Sequence, residues 1–148
     1  MAVWQYDLFV VGEGHVLPLL MEDGWELPQL PAESTLNAQG ILIESLGCAW
    51  LMMDDWVVFG NEETTRIDLI FNEKNEVEIR IRLSASATYA DLDAVSEFAC
   101  ALRSKLFDPA SGALLQPDRS SVASALASSR AAAYSRSPRA FPLGQSGA

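Results

Sequence analysis

The chain has 148 residues, with 20 acidic and 10 basic side chains and a formal net charge of −10. That length favours a single domain, and 49% apolar against 20% charged residues excludes a disordered body. Its apolar runs stop short of the ~20 residues of a membrane span, and an acidic surface sets the chain against binding a phosphate backbone.

The distribution of charge says more than its sum. No Lys or Arg precedes Arg66, whereas Asp7, Glu13, Glu22, Asp23, Glu26, Glu33, Glu44, Asp54, Asp55, Glu62 and Glu63 all do. From Arg119 onward the sign reverses, with Arg119, Arg130, Arg136 and Arg139 and no acid. Such an acidic half would attract a basic partner and speed its encounter; it would equally keep the protein soluble. Cys48 and Cys100 are too few for a disulfide framework and sit among apolar neighbours, so both are expected as buried free thiols in a reducing compartment. The N-terminus carries an early acid and no basic stretch, so a signal peptide is not expected and the cytoplasm is the expected location.

In chain order, residues 3 to 11 alternate as a strand, with Trp4, Tyr6, Leu8 and Val10 on one face. Residues 12 to 31 hold Pro18, Gly24, Pro28 and Pro31 and read as a long ordered loop with extended pieces, a length that often marks function. A helix is expected from about Glu33, entered at Pro31, capped by Ser34 or Thr35, striped by Leu36, Ile43 and Leu46 and stopped at Gly47. Residues 49 to 83 read as a β-meander with turns at Asp54-Asp55, at 60 to 63 and at 72 to 75. Its last run alternates strictly, with Val77, Ile79, Ile81 and Leu83 opposite Glu76, Glu78, Arg80 and Arg82. In the run before it Arg66 and Asp68 share a face, and with Glu78, Arg80 and Arg82 they would form cross-strand charge pairs.

Thr88 followed by Asp91 signals a capped helix whose stripe is Leu92, Val95, Phe98, Ala99, Leu102 and Leu106, with Arg103 and Lys105 in its last turn. Residues 106 to 115 suggest a short hairpin, and Pro117-Asp118 opens a second helix carrying Val122, Ala125 and Leu126. Beyond Tyr134 an irregular arm is expected, with Phe141 docking and residues 142 to 148 forming a flexible tail after a domain of residues 1 to 141. The expected fold class is α+β, an antiparallel β-meander sheet with helices packed on one face.

The search for chemistry is mainly negative. His15 is the sole histidine, and neither cysteine has an activating neighbour. One His and two widely spaced Cys do not make a zinc site. Gly12-Glu13-Gly14 lacks the further glycine and helix of a phosphate loop, and Glu44-Ser45-Leu46-Gly47 lacks one glycine of a nucleophile elbow. No catalytic residue, cofactor or metal is expected. The remaining candidates are partner-binding residues. Glu22, Asp23, Trp25 and Glu26 cluster in the proline-rich loop, where Trp25 would be an exposed anchor. Asp54, Asp55, Glu62 and Glu63 form two acidic turns flanking the run 56 to 59.

The runs Phe59-Gly60-Asn61-Glu62, Arg66-Ile67-Asp68-Leu69 and Ile79-Arg80-Ile81-Arg82, the capped helix, and the ending from Ser128-Ser129-Arg130-Ala131 to Pro138 and Phe141 resemble a group of small bacterial α+β proteins. In size and acidity the chain is similar to the immunity proteins paired with secreted bacterial toxins. The resemblance implies a cytoplasmic inhibitor and carries over no functional residue. The expected function is therefore non-enzymatic binding of a basic protein by an acidic surface, with no nucleic-acid or membrane partner. Two alternatives stand beside it: a small hydrolase using the carboxylates at 54, 55, 62 and 63, and a homodimeric module joined through a sheet edge or the Ala-rich helix.

Overall fold

A computed structural model describes residues 5–12 and 17–136. The expectations about Trp4, Glu13, His15, Phe141 and the tail fall outside those residues. The described chain runs β1 (Gln5–Gly12), β2 (Leu19–Met21), β3 (Gly24–Glu26), β4 (Leu30–Pro31), a 3-10 turn (Ala32–Thr35), α1 (Gln39–Leu46), β5 (Trp50–Met53), β6 (Trp56–Gly60), β7 (Thr65–Phe71), β8 (Glu76–Ser84), α2 (Tyr89–Ala101), β9 (Ser104–Asp108), β10 (Ala113–Leu115), α3 (Arg119–Ala127) and α4 (Arg130–Arg136). It is an α+β fold. Eight of the described strands form one antiparallel sheet in the order β10-β9-β1-β8-β7-β6-β5, with β4 also beside β8. The meander expected at 49 to 83 is β5 to β8.

Strand register explains the core. Leu8 faces Ile81, Ile67 faces Ile81, Leu69 faces Ile79 and Phe59 faces Ile67, so these side chains rise from one face of the sheet. They join Leu42 of α1, Leu92, Val95 and Phe98 of α2, Val122 and Leu126 of α3 and Ala131 of α4 in one buried cluster. The α2 start is as expected: the Thr88 hydroxyl accepts from Asp91 N at 3.2 Å, and the Asp91 carboxylate accepts from Thr88 N at 3.1 Å.

The extended pieces expected within residues 12–31 are the β2–β3 hairpin and β4, whose strands of two or three residues are too short to show a period. Three local expectations are corrected. The helix near 33 begins later. The Ser34 and Thr35 hydroxyls donate to the carbonyls of Pro31 and Ala32 instead of capping, a 3-10 turn intervenes, and α1 starts at Gln39. That shifts the helical phase, so Ala38 and Leu42 are buried while Leu36 and Ile43 are exposed. At the other end α2 stops at Ala101, and Arg103 takes a left-handed conformation (φ 52°). Arg103 and Lys105 therefore lie beyond the last turn, and Leu106 belongs to β9. Finally, both cysteines are exposed and free. Cys48 follows the helix-ending Gly47, and Cys100 shares the solvent stripe of α2 with Asp93 and Glu97.

Candidate functional site

The structure brings three segments together around an acidic cleft of about 760 Å³. Glu26 ends β3 and Leu27 and Gln29 follow it, Asp55 comes from the β5–β6 turn, and Phe71, Asn72, Glu73, Lys74, Glu76 and Glu78 from the β7–β8 hairpin. The hairpin turns at Asn75, which is held at φ 59°, a conformation asparagine tolerates. Asn72 is the hub. Its amide nitrogen donates to the Gln29 side chain at 2.7 Å and to Glu76 at 3.2 Å, and its oxygen accepts from the backbone of Lys74 and Glu76. Phe71 N donates to the Asp55 carbonyl at 2.9 Å, and Ala32 N to the Asn75 carbonyl at 2.7 Å. Backbone and amide bonds thus fix the walls, with the Glu76 carboxylate tied to Asn72.

Within this cleft Glu78 is matched by Arg80 at 3.1 Å. Glu26, Asp55, Glu73 and Glu76 make no ion pair among the described residues, and Lys74 is the sole basic side chain in the lining. Four carboxylates against one ammonium give a focused negative potential. No three or more His, Cys, Asp or Glu among the described residues are arranged to hold a metal ion.

Of the residues proposed from the sequence, Glu26 and Asp55 meet here. Asp54 is exposed on the same turn as Asp55, and Glu22 and Asp23 are exposed at the tip of the β2–β3 hairpin. Trp25 is corrected: it is half-buried, its ring meets Phe107 edge-on at 4.8 Å, and its Nε1 donates to the Pro109 carbonyl at 3.0 Å. It pins the hairpin to the sheet and is not a free anchor. Glu62 and Glu63 lie at the far end of β6 from Asp54 and Asp55. Four residue steps of about 3.3 Å put the two acidic turns roughly 13 Å apart, wider than paired carboxylates need for acid–base work.

Glu62 instead reaches, from an exposed position, the edge of a buried ion pair on the sheet face opposite the core. Arg66 is 2% exposed and Asp68 1%. They pair in two parallel bonds, Nε to Oδ1 at 2.7 Å and Nη2 to Oδ2 at 2.9 Å. Arg66 Nη1 donates to Glu62 at 2.9 Å, Trp56 Nε1 donates to Asp68 Oδ2 at 2.8 Å, and the guanidinium sits over the Trp50 ring at 5.5 Å. The hydrogen bond to Asp68 raises the Arg66 pKa against the opposing pull of burial. The register sets Arg66 against Arg82 and Asp68 against Arg80, yet Asp68 bonds to Arg66 along its own strand, and the cross-strand ion pair on this face is Asp7 with Arg82. Beside it Asp7 Oδ1 and Arg82 Nε face each other at 3.6 Å without a hydrogen bond. Burial pushes the Asp7 carboxyl up, while Arg82 and Arg80 pull it down.

A second recess of about 520 Å³ lies where β1, the β9–β10 turn and the α3–α4 junction meet. Beside it the buried Tyr6 hydroxyl donates to Asp108 Oδ2 at 2.8 Å, and Asp108 Oδ1 accepts from Ala110 N at 2.9 Å. Burial, and then the hydrogen bond to Asp108 and its charge, raise the Tyr6 pKa far above 10.0. A raised folded-state value stabilises the fold below the unfolded-state pKa, and that contribution is lost as pH rises. Stability should therefore fall as pH climbs past about 10. Tyr6→Phe should cost about 2 kcal/mol at neutral pH and flatten that alkaline decline. Urea melts of both proteins between about pH 8 and 11 check this; equal alkaline slopes would contradict it.

Comparison of the chain with protein-family models, with curated proteins and with solved structures gives no match. Among the described residues no helix is long and apolar enough to cross a membrane.

Proposed function

We propose that the protein is a non-enzymatic binding protein whose acidic cleft receives a basic segment of a partner protein, in the manner of a cytoplasmic immunity protein that neutralises a basic toxin. The observation that carries this reading is the cleft: Glu26, Asp55, Glu73 and Glu76 line it from three segments, with Lys74 the one basic side chain among the described lining residues. A cluster of like charges has two consequences. It raises the encounter rate with a basic surface, and it rewards a partner whose Lys or Arg side chains reach all four carboxylates together. The partner is a protein and not a nucleic acid, because the same field repels phosphate. The hydrolase reading has less support, since the two acidic turns it would use stand at opposite ends of β6.

The test is capture from cells of the source organism with the intact chain as bait. The expected result is one stoichiometric basic protein, released as salt is raised, and protection by the bait if that protein is toxic. Recovery of no basic partner, or of one held equally at high salt, would contradict the reading.

A further inference from the structure

We propose that two copies of the chain join along β5, antiparallel about a two-fold axis, so that the sheet of one continues into the sheet of the other. Among the described residues β5 ends the sheet and pairs on one side only, with β6. All four of its side chains are large and apolar, and all are exposed: Trp50 43%, Leu51 63%, Met52 40% and Met53 60%. An outer strand of this kind presents unpaired backbone groups, and proteins that remain monomeric blunt such edges with charges, prolines or bulges. Residues 48 to 53 carry no charge and no proline. One irregularity, between Leu51 and Met53, is the sole blunting device, and it leaves the strand's start regular.

The charge pattern selects a second copy as the occupant. The acids stand at one end of the strand only, at Asp54 and Asp55, and its other end is Cys48 and Ala49. Antiparallel self-pairing sets each acidic end beside the uncharged end of its neighbour, whereas a parallel pairing would stack acid on acid. A basic protein finds its counter-charges in the cleft and none along residues 48 to 53. The strand is also arranged in advance: Trp50 Nε1 donates to the Gly60 carbonyl at 3.0 Å, and Met52 Sδ accepts from Arg66 Nη2 at 3.8 Å. Less side-chain freedom then remains to be lost on association. Such a contact is isologous and closes at two copies.

The salt response separates this assembly from cleft binding. Each copy carries −10, so screening should leave the dimer unchanged or tighten it, opposite to the effect on a basic partner. Sedimentation of the full chain over a concentration series, at about 50 and 500 mM NaCl, should show a species of twice the 16.1 kDa chain mass. Leu51→Lys should raise the dissociation constant by at least about tenfold, because it places a charge in a dry strand contact. Leu114→Lys, on the opposite edge strand, should leave it unchanged. A wild-type chain that stays monomeric throughout, a folded Leu51→Lys protein that still dimerises, or an equal effect of Leu114→Lys would each overturn the proposal. Should Leu51→Lys not fold, hydrogen exchange on the wild type decides. Amides of residues 50 to 53 slow with rising concentration if the proposal holds, and protection gained elsewhere but not there overturns it.

Discussion

Replacing Arg66 with Met should destabilise the protein by about 3–5 kcal/mol, because it strands the Asp68 carboxylate without its main partner. Asp68 is 1% exposed and is held by Arg66 in two bonds and by Trp56 Nε1 in a third. With the guanidinium gone, the carboxylate keeps one neutral donor and no bonded counter-charge in a site that water barely reaches. The double replacement Arg66→Met with Asp68→Leu should recover most of the loss, since it removes both buried charges together. Recovery falls short of complete because Trp56 Nε1 then loses its acceptor. Urea unfolding of the three proteins gives the answer. A single-mutant loss under about 1 kcal/mol would show the pair to be no more than a surface ion pair.

Gly60→Ala should be nearly as costly, at about 3 kcal/mol, for two additive reasons: left-handed backbone and lack of space. Gly60 has φ 82°, and a Cβ built there would run into the Thr65 carbonyl oxygen. That oxygen accepts the Asn61 N–H at 3.2 Å, and the Gly60 carbonyl accepts from Trp50, so the turn cannot yield without releasing both. Glu62, two residues on, would be drawn away from Arg66. The thermal midpoint should therefore fall, and the near-ultraviolet signal of Trp50 should change with it. A midpoint within a degree or two of wild type would mean that the turn is softer than its geometry implies.

These two positions show what a reader of the sequence could and could not see. Strict alternation at Val77, Ile79, Ile81 and Leu83 located β8, and the register of β6, β7 and β8 follows from short turns that leave little choice. Alternation also put Arg66 and Asp68 on the face away from the core, as found, but it reads polarity as exposure. Nothing local reveals that Trp50, Met52 and Trp56 cover that pair. The Cys100 error was avoidable, since Asp93 and Glu97 already mark the solvent stripe on which it falls. The phase of α1 was not avoidable, because a 3-10 turn resets it before the helix begins.

The candidate site was half legible for a similar reason. Glu26 and Asp55 stood out as acids without basic neighbours in sequence. Glu73 was read as turn chemistry and Glu76 as the polar face of the last strand, and both are correctly placed. What makes them part of a site is the pairing of Leu30 with Val77 and of Pro31 with Glu76, which carries the chain after β3 alongside the β7–β8 hairpin. A two-residue strand has no period to announce it. Trp25 failed as an anchor through a contact of the same long-range kind, with Phe107 and Pro109.

The acidic cleft is the central claim, and one titration tests it most directly. The basic protein captured by the intact chain is titrated with wild type and with a variant carrying Glu26→Gln, Asp55→Asn, Glu73→Gln and Glu76→Gln. Glu22→Gln with Asp23→Asn, at the tip of the β2–β3 hairpin, serves as a control of like chemistry. The account predicts that the cleft variant loses at least about a hundredfold in affinity with its fold intact and with a shallower dependence on salt, while the tip variant binds nearly as wild type does. Equal affinity of the cleft variant and wild type, or a loss confined to the tip variant, would contradict it.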